Sequence, residues 1–147
     1  MAVIKLVDSK KVGLNTDINK YLPFNIKNPQ YPSDIITIRE LLNNRSIIKD
    51  DYKVYESQWK QPKVNPKLKL NSFLEDYLNE DGRLYTKEHF ESDANYKSFS
   101  YYNTRIALLG LIVETVSGMS YEEFCQTNIF KPMKMENQPL VEDTLLL

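Results

Sequence analysis

Residues 99 to 106 read Phe99-Ser100-Tyr101-Tyr102-Asn103-Thr104-Arg105-Ile106, and ALLGLIVETVSGMSYEEF follows at 107 to 124. Between Thr104 and Val116 the apolar residues Ile106, Leu109, Ile112, Val113 and Val116 recur at the three- and four-residue spacing of one helical face. The run ends at Ser117-Gly118, where glycine can take the left-handed conformation that closes a helix. This predicts a buried helix. Next comes Ser120-Tyr121-Glu122-Glu123, a capping-box signature that predicts a second helix with Phe124 and Ile129 inward, stopped at Lys131-Pro132. Two helices joined by a tight turn are therefore expected.

Upstream, Ala2 to about Ser9 places Val3, Ile4, Leu6 and Val7 at helical spacing before a turn at Lys11 to Asn15. Asp17 to Leu22 suits one short helical turn with Ile18, Tyr21 and Leu22 inward. Pro23 and the Asn- and Pro-rich run to Pro32 then impose irregular chain. Thr37-Ile38-Arg39-Glu40 is another capping box, with Ile38, Leu41 and Leu42 on one face. Ser72 to Glu75 reads as a further helix start, with Leu70, Phe73, Leu74, Tyr77 and Leu78 inward and Gly82 as the stop. Residues 23–36 and 50–67 read as long loops, a length that suggests packing on something or lining a site. A strand has a weak chance at Arg83 to Tyr85, and no clean alternation exceeds five residues.

The 147 residues hold 41% hydrophobic and 27% charged residues, enough for one real core. Nineteen basic and twenty acidic residues give a net charge of −1. Interspersed as they are, they mark no surface for nucleic acid or an anionic membrane. The apolar runs are too short for a membrane span. Cys125 and His89 are each alone. A disulfide or a cysteine-based metal site cannot be built within the chain, and no metal or organic cofactor is expected. Cys125 reads as a small buried hydrophobe and His89 as a surface or locally bonded residue. Met1 to Val7 lacks the features of a signal peptide and resembles the middle of a helix, which suggests a natural boundary further upstream.

Taken together, two stretches resemble the superfamily of class C β-lactamases, penicillin-binding peptidases and esterases. One is Lys5 to Leu14 with Asp17 to Pro23 and Ile36 to Leu42. The other is Phe99 to Thr104 with its following helices and Ile129-Phe130-Lys131-Pro132-Met133. The resemblance spans about residues 2 to 137. It implies an α/β parent fold, of the β-lactamase and transpeptidase type, of which this predominantly α chain covers mainly the helical region. In such enzymes a Ser-x-x-Lys serine attacks a carbonyl and a Tyr-x-Asn tyrosine, activated by the lysine, moves the proton. Carried over by position, Tyr101 is the general base, and Asn103 hydrogen-bonds the lysine and the substrate amide. The alternative for Tyr101 is a buried aromatic anchor at a helix start; the family context favours the motif.

The same alignment puts the Ser-x-x-Lys helix before Met1 and the third motif, on the C-terminal sheet, after Leu147. Residues 1–147 are thus expected to be a partial domain lacking both. The strings Ser46-Ile47-Ile48-Lys49 and Ser57-Gln58-Trp59-Lys60 match Ser-x-x-Lys, but they fall on the wrong side of the segment and chance accounts for them. A phenol ordinarily ionises near pH ~10 and needs a nearby cation to act as a base. Loss of a serine nucleophile costs on the order of a millionfold in turnover. The chain by itself is therefore expected to be inactive, while its full-length parent acts on a small-molecule or peptide substrate, namely a β-lactam, a peptide or an ester. A catalytically dead helical binding or structural remnant is the rival reading. Without the sheet, marginal stability or self-association through an exposed apolar face is expected. Two departures from the family pattern, Asn44-Arg45-Ser46-Ile47 in place of a His-Thr-Ser-Gly-like turn and Ala94-Asn95-Tyr96-Lys97 in place of Pro-Gly, leave the parent's activity open. Substrate and compartment are not legible.

Overall fold

The long helix forms where the apolar periodicity places it. In a computed structural model describing residues 1–59, 69–92 and 99–135, it spans Asn103–Ser117, with Gly118 at φ 70° closing it and donating its N–H to Glu114 O at 2.9 Å. Its neighbours are numbered here in chain order: α1 (Ala2–Asp8), α2 (Ile38–Leu42), α3 (Tyr52–Trp59), α4 (Leu70–Leu78), the long helix as α5, and α6 (Tyr121–Cys125). Helix α5 packs against α1, α2, α4 and α6 and is the axis of the core. Leu108, Ile112 and Val113 are fully buried, and each such burial is worth roughly 1.5–3 kcal/mol.

Leu109, Ile112 and Val113 are buried as the sequence pattern predicts, but the first turn of the helix differs from that expectation. Ile106, taken as the first member of the inward stripe, is 41% exposed, whereas Arg105 is 0% exposed. The buried face runs through Arg105, Leu108, Leu109 and Ile112. That is the i, i+3, i+4, i+7 pattern with a charge in its first slot.

The capping box at Thr37 forms in full: the threonine oxygen accepts from Glu40 N and the glutamate side chain accepts from Thr37 N. At α6, Ser120 Oγ accepts from Glu123 N at 3.1 Å, while Glu114 Oε1 accepts from Tyr121 N at 2.9 Å. Two orphan donors of the helix start are thereby satisfied. Helix α6 runs straight into a π turn, Gln126–Phe130, that keeps Ile129 inward beside Phe124. Cys125 is buried in the same stretch, as a small hydrophobe would be.

A 3-10 turn at Ile18–Lys20 carries the inward Ile18. The irregular segment after Pro23 is pinned where Asn19 exchanges two hydrogen bonds with the Ile26 backbone, at 2.8 and 3.0 Å. Among the described residues, β pairing is confined to two isolated bridges, Asp17–Thr37 and Ile48–Phe90, and Arg83 to Tyr85 form no strand.

Three further expectations are corrected. Residues 52–59, read as loop, are helix α3, with Asp51 Oδ1 accepting from Lys53 N at 2.9 Å near its start. Helix α4 starts at Leu70, so Ser72 lies inside it rather than capping it. Gly82 does follow the end of α4, by close approach rather than by a left-handed φ: a Cβ there would stand 2.3 Å from the Asp76 carbonyl oxygen. The Ala94 to Lys97 segment lies outside the described residues.

Candidate active site

Tyr101 and Asn103 sit on either side of one backbone step from loop to helix. Tyr101 is on the loop and 58% exposed, so it is no buried anchor; Asn103 is half-buried and is the first residue of α5. Neither Tyr101 nor Asn103 lines the cavity of about 330 Å³ between α1 and the π turn, which is bounded by Lys5, Ser9, Lys11 and Asn128 among others. The two residues instead crown a polar assembly inside the protein that holds their backbone in place.

Arg105 is the centre of that assembly. Its Nε donates to Ile48 O at 2.6 Å, Nη1 to Asn44 O at 2.7 Å and to Ser100 O at 2.5 Å, and Nη2 to Ser46 O at 2.5 Å. The guanidinium carbon lies over the Tyr102 ring, 4.5 Å from its centroid. Burial pushes the Arg105 pKa down, and the nearby Tyr102, Glu91 and Asp50 offset part of that. An arginine stays charged even so, and its planar fork suits several carbonyls at once. A fully buried cation is thus solvated by backbone carbonyls of one distant segment, residues 44–48, and of the nearby Ser100. Ser100 N adds a bond to Asn44 O at 3.0 Å, so loop and segment are tied twice. Asn44 itself takes φ 53°, a left-handed geometry that asparagine tolerates.

Asp50 fixes the other side. Its Oδ2 accepts from Asn103 N at 2.8 Å, and its Oδ1 accepts from Thr104 N at 2.9 Å, Thr104 Oγ1 at 2.6 Å and Tyr55 OH at 2.9 Å. Tyr55 OH and Thr104 Oγ1 also lie within hydrogen-bond reach of each other, so the two hydroxyl protons are shared among the three oxygens. A carboxylate at the start of α5 satisfies free amides and meets the positive end of the helix dipole. The start of α5 is therefore capped from 53 residues away in sequence, not by its own Tyr102.

Tyr102, between the two motif residues, donates from its hydroxyl to Glu91 Oε1 at 3.0 Å, and Glu91 pairs with Lys49 at 3.7 Å. Ser46, the first residue of one chance Ser-x-x-Lys match, is 1% exposed; its Oγ accepts from Ile48 N, and its carbonyl serves Arg105. It has a structural place in the cradle and no access to substrate. In the second match, Lys60 lies outside the described residues.

Neither Arg105 nor Asp50 was singled out from sequence. The signal for Arg105 was there: it precedes Leu108, Leu109 and Ile112 at core-face spacing. The signal for Asp50 was not, because its partners are a fold away. Among the described residues no cluster of histidine, cysteine or carboxylate side chains could hold a metal, and no helix is long and apolar enough to cross a membrane.

The family model described as Beta-lactamase matches residues 1–141. Penicillin-binding protein 4* of Bacillus subtilis is 30% identical over 135 residues, covering 92% of this chain and 26% of that protein. Protein flp of Staphylococcus aureus is 27% identical over 135 residues, covering 92% of this chain and 24% of its own length. The chain thus spans about a quarter of the length of the curated relatives it matches. Among solved structures, a penicillin binding protein from Bacillus halodurans superposes with a TM-score of 0.66 at 27% identity, covering 92% of this chain and 36% of that one. FmtA from Staphylococcus aureus shares the fold, with a TM-score of 0.59 at 21% identity over 90% of this chain and 31% of that one.

Proposed function

Given that this chain belongs to the Beta-lactamase family over residues 1–141 and is a partial serine-hydrolase-related domain, we propose that it supplies the Tyr-x-Asn part of an acyl-transfer site. In this reading Tyr101 accepts the proton of a serine hydroxyl, and Asn103 hydrogen-bonds the lysine and the substrate amide. The serine and lysine come from residues other than these 147, and so does the sheet against which the cleft closes. A serine attacks the carbonyl of a β-lactam, a peptide or an ester, the acyl-enzyme forms, and water releases it. By itself the chain does not turn substrate over, since the phenol has neither a nucleophile to deprotonate nor the ammonium that activates it.

One observation carries this reading. Tyr101 is 58% exposed while the backbone on both sides of it is held by Arg105 at Ser100 and by Asp50 at Asn103. A loop ordered by internal bonds while its aromatic tip stays outside is how a reacting group is presented to partners still to be added. The test is turnover of a chromogenic cephalosporin. The 147-residue chain is expected to match buffer alone. The same residues joined to a Ser-x-x-Lys helix and the closing sheet of the family are expected to be acylated by fluorescent penicillin, and Tyr101→Phe is expected to abolish that labelling. Turnover by the short chain that Tyr101→Phe removes would overturn the proposal.

A second reading, a catalytically inert helical binding or structural module, has Phe99, Tyr101 and Ile106 in its favour, exposed by 67, 58 and 41%. Apolar side chains left open in this way favour self-association. Sedimentation at increasing concentration measures it.

A further inference from the structure

The site's cradle rests on a histidine that no catalytic role absorbs. His89 is 0% exposed, although its sequence context suggested a surface or locally bonded residue; only the bonding is observed. Its Nδ1 lies 2.9 Å from Tyr77 O, and its ring stacks on the Tyr77 ring with centroids 3.7 Å apart. Because a carbonyl can only accept, Nδ1 carries the hydrogen of the neutral ring and Nε2 holds the lone pair. Nε2 is buried with no hydrogen-bond partner among the described residues.

From that ring a short chain of bonds leads to the candidate site. The backbone of His89 accepts from Lys49 N at 2.9 Å, and Glu91 N donates to Ile47 O at 2.8 Å. Tyr77 fastens the same strand-like segment from the other side: its hydroxyl donates to Lys49 O at 3.0 Å and accepts from Asp51 N at 2.7 Å. Asp50, the residue between, caps Asn103 and Thr104, and the carbonyls of Ser46 and Ile48 hold Arg105. The ring packs on the residue that clamps the segment, and the segment clamps the loop.

We propose that His89 is an acid-sensitive latch for the Tyr101 loop: protonation at Nε2 places a buried charge with no acceptor beside Tyr77 and releases the 46–51 segment, and with it the caps on Asn103 and Thr104 and the carbonyls that hold Arg105. The charged groups around the ring divide. Asp51 on the segment and Glu88 on its own turn favour the imidazolium, while Lys49 opposes it. Desolvation outweighs them and holds the pKa below the ordinary histidine value. The sign follows. The unfolded ring takes up a proton near pH ~6.5 and the folded ring resists it, so this contribution to stability is complete above ~6.5 and erodes as the pH falls. The readout is conformational and holds whether or not Tyr101 ever accepts a proton.

The test uses the full chain. It has one histidine, so a single set of imidazole signals can be followed by NMR as the pH falls from 8 to 4. The ring is expected to stay neutral in the folded chain well below ~6.5. The unfolding constant is expected to rise by up to about tenfold per pH unit as the pH falls below ~6.5, and the amides of Lys49, Asn103 and Thr104 are expected to lose exchange protection together, after correction for intrinsic rates. His89→Asn, which keeps a short amide donor and cannot ionise, is expected to flatten the acid slope. A ring that titrates near its ordinary value while those amides stay protected overturns the proposal, as does an acid slope unchanged in His89→Asn. Should that variant fail to fold, the wild-type ring titration decides alone.

Discussion

Helix α5 is held by different physics along its middle, the apolar end of the contrast, and at its first residues, the polar end. From Leu108 to Val113 it is gripped by apolar side chains of α1, α2, α4 and α6, whose contacts are non-directional and exchangeable among shapes of similar volume. At Asn103 to Arg105 it is gripped by one guanidinium and one carboxylate, each aimed at particular backbone atoms of distant segments. The first end supplies most of the burial. The second decides where the Tyr101 loop stands, because hydrogen bonds specify position in a way that area burial does not. A helix can be stabilised at one end and aimed at the other.

The largest effect is expected at the polar end. Arg105→Ala takes the guanidinium donor from four carbonyls, two of them in wholly buried bonds, and of the four Asn44 O keeps its bond from Ser100 N. At about 1–3 kcal/mol for each buried group left unsatisfied, the loss should be about 4 kcal/mol or more, measured by urea unfolding. Arg105→Lys should recover only a fraction, since an ammonium cannot serve four acceptors with the fork's geometry. If Lys restored full stability, the carbonyl clamp would be a minor feature and the contrast between the ends would fail.

At the apolar end, Leu108→Ala should cost about 3 kcal/mol through the cavity it opens, while Leu108→Met should cost less than about 1.5. That tolerance of shape change is what the polar end lacks. Smallest of all, Ile106→Ala should shift the unfolding free energy by less than about 0.5 kcal/mol, as expected for an exposed position. A loss near 3 kcal/mol would mean that Ile106 packs inward after all, and that the phase of the helix is wrong.

Those two ends also differ in how far the sequence discloses them. Thr37 and Glu40, Ser120 and Glu123, and Gly118 act on atoms within a few residues, so helix ends at α2, α5 and α6 could be read locally. The apolar stripe of α5 was legible at Leu109, Ile112 and Val113 but not in the first turn, because Arg105 occupies a core slot that a charge normally avoids, and Ile106 stood next to it. Helix α3 was missed because Tyr52-Lys53-Val54-Tyr55 carries little apolar periodicity; the cap at Asp51 was its one local sign. The Tyr-x-Asn motif could be found by pattern, whereas its support could not. Asp50 and Arg105 act across roughly 53 to 61 positions of chain, and no local rule says which carbonyl a buried cation will choose.

Tyr77 and its neighbours give the molecule a built-in optical gauge. Phe73 stacks on Tyr77 with centroids 5.7 Å apart, Tyr55 lies 6.0 Å away on the same ring, and His89 covers the other contact. Burial raises the pKa of both phenols, Tyr55 and Tyr77, with the nearby Asp50 carboxylate adding to it. An unfolded phenol ionises near pH ~10 and these two hold their protons past it, so alkali draws the chain toward the unfolded state. In an ultraviolet titration the red-shifted phenolate band should therefore grow in two stages. Accessible tyrosines ionise first, and the column under the loop contributes only when the fold itself gives way.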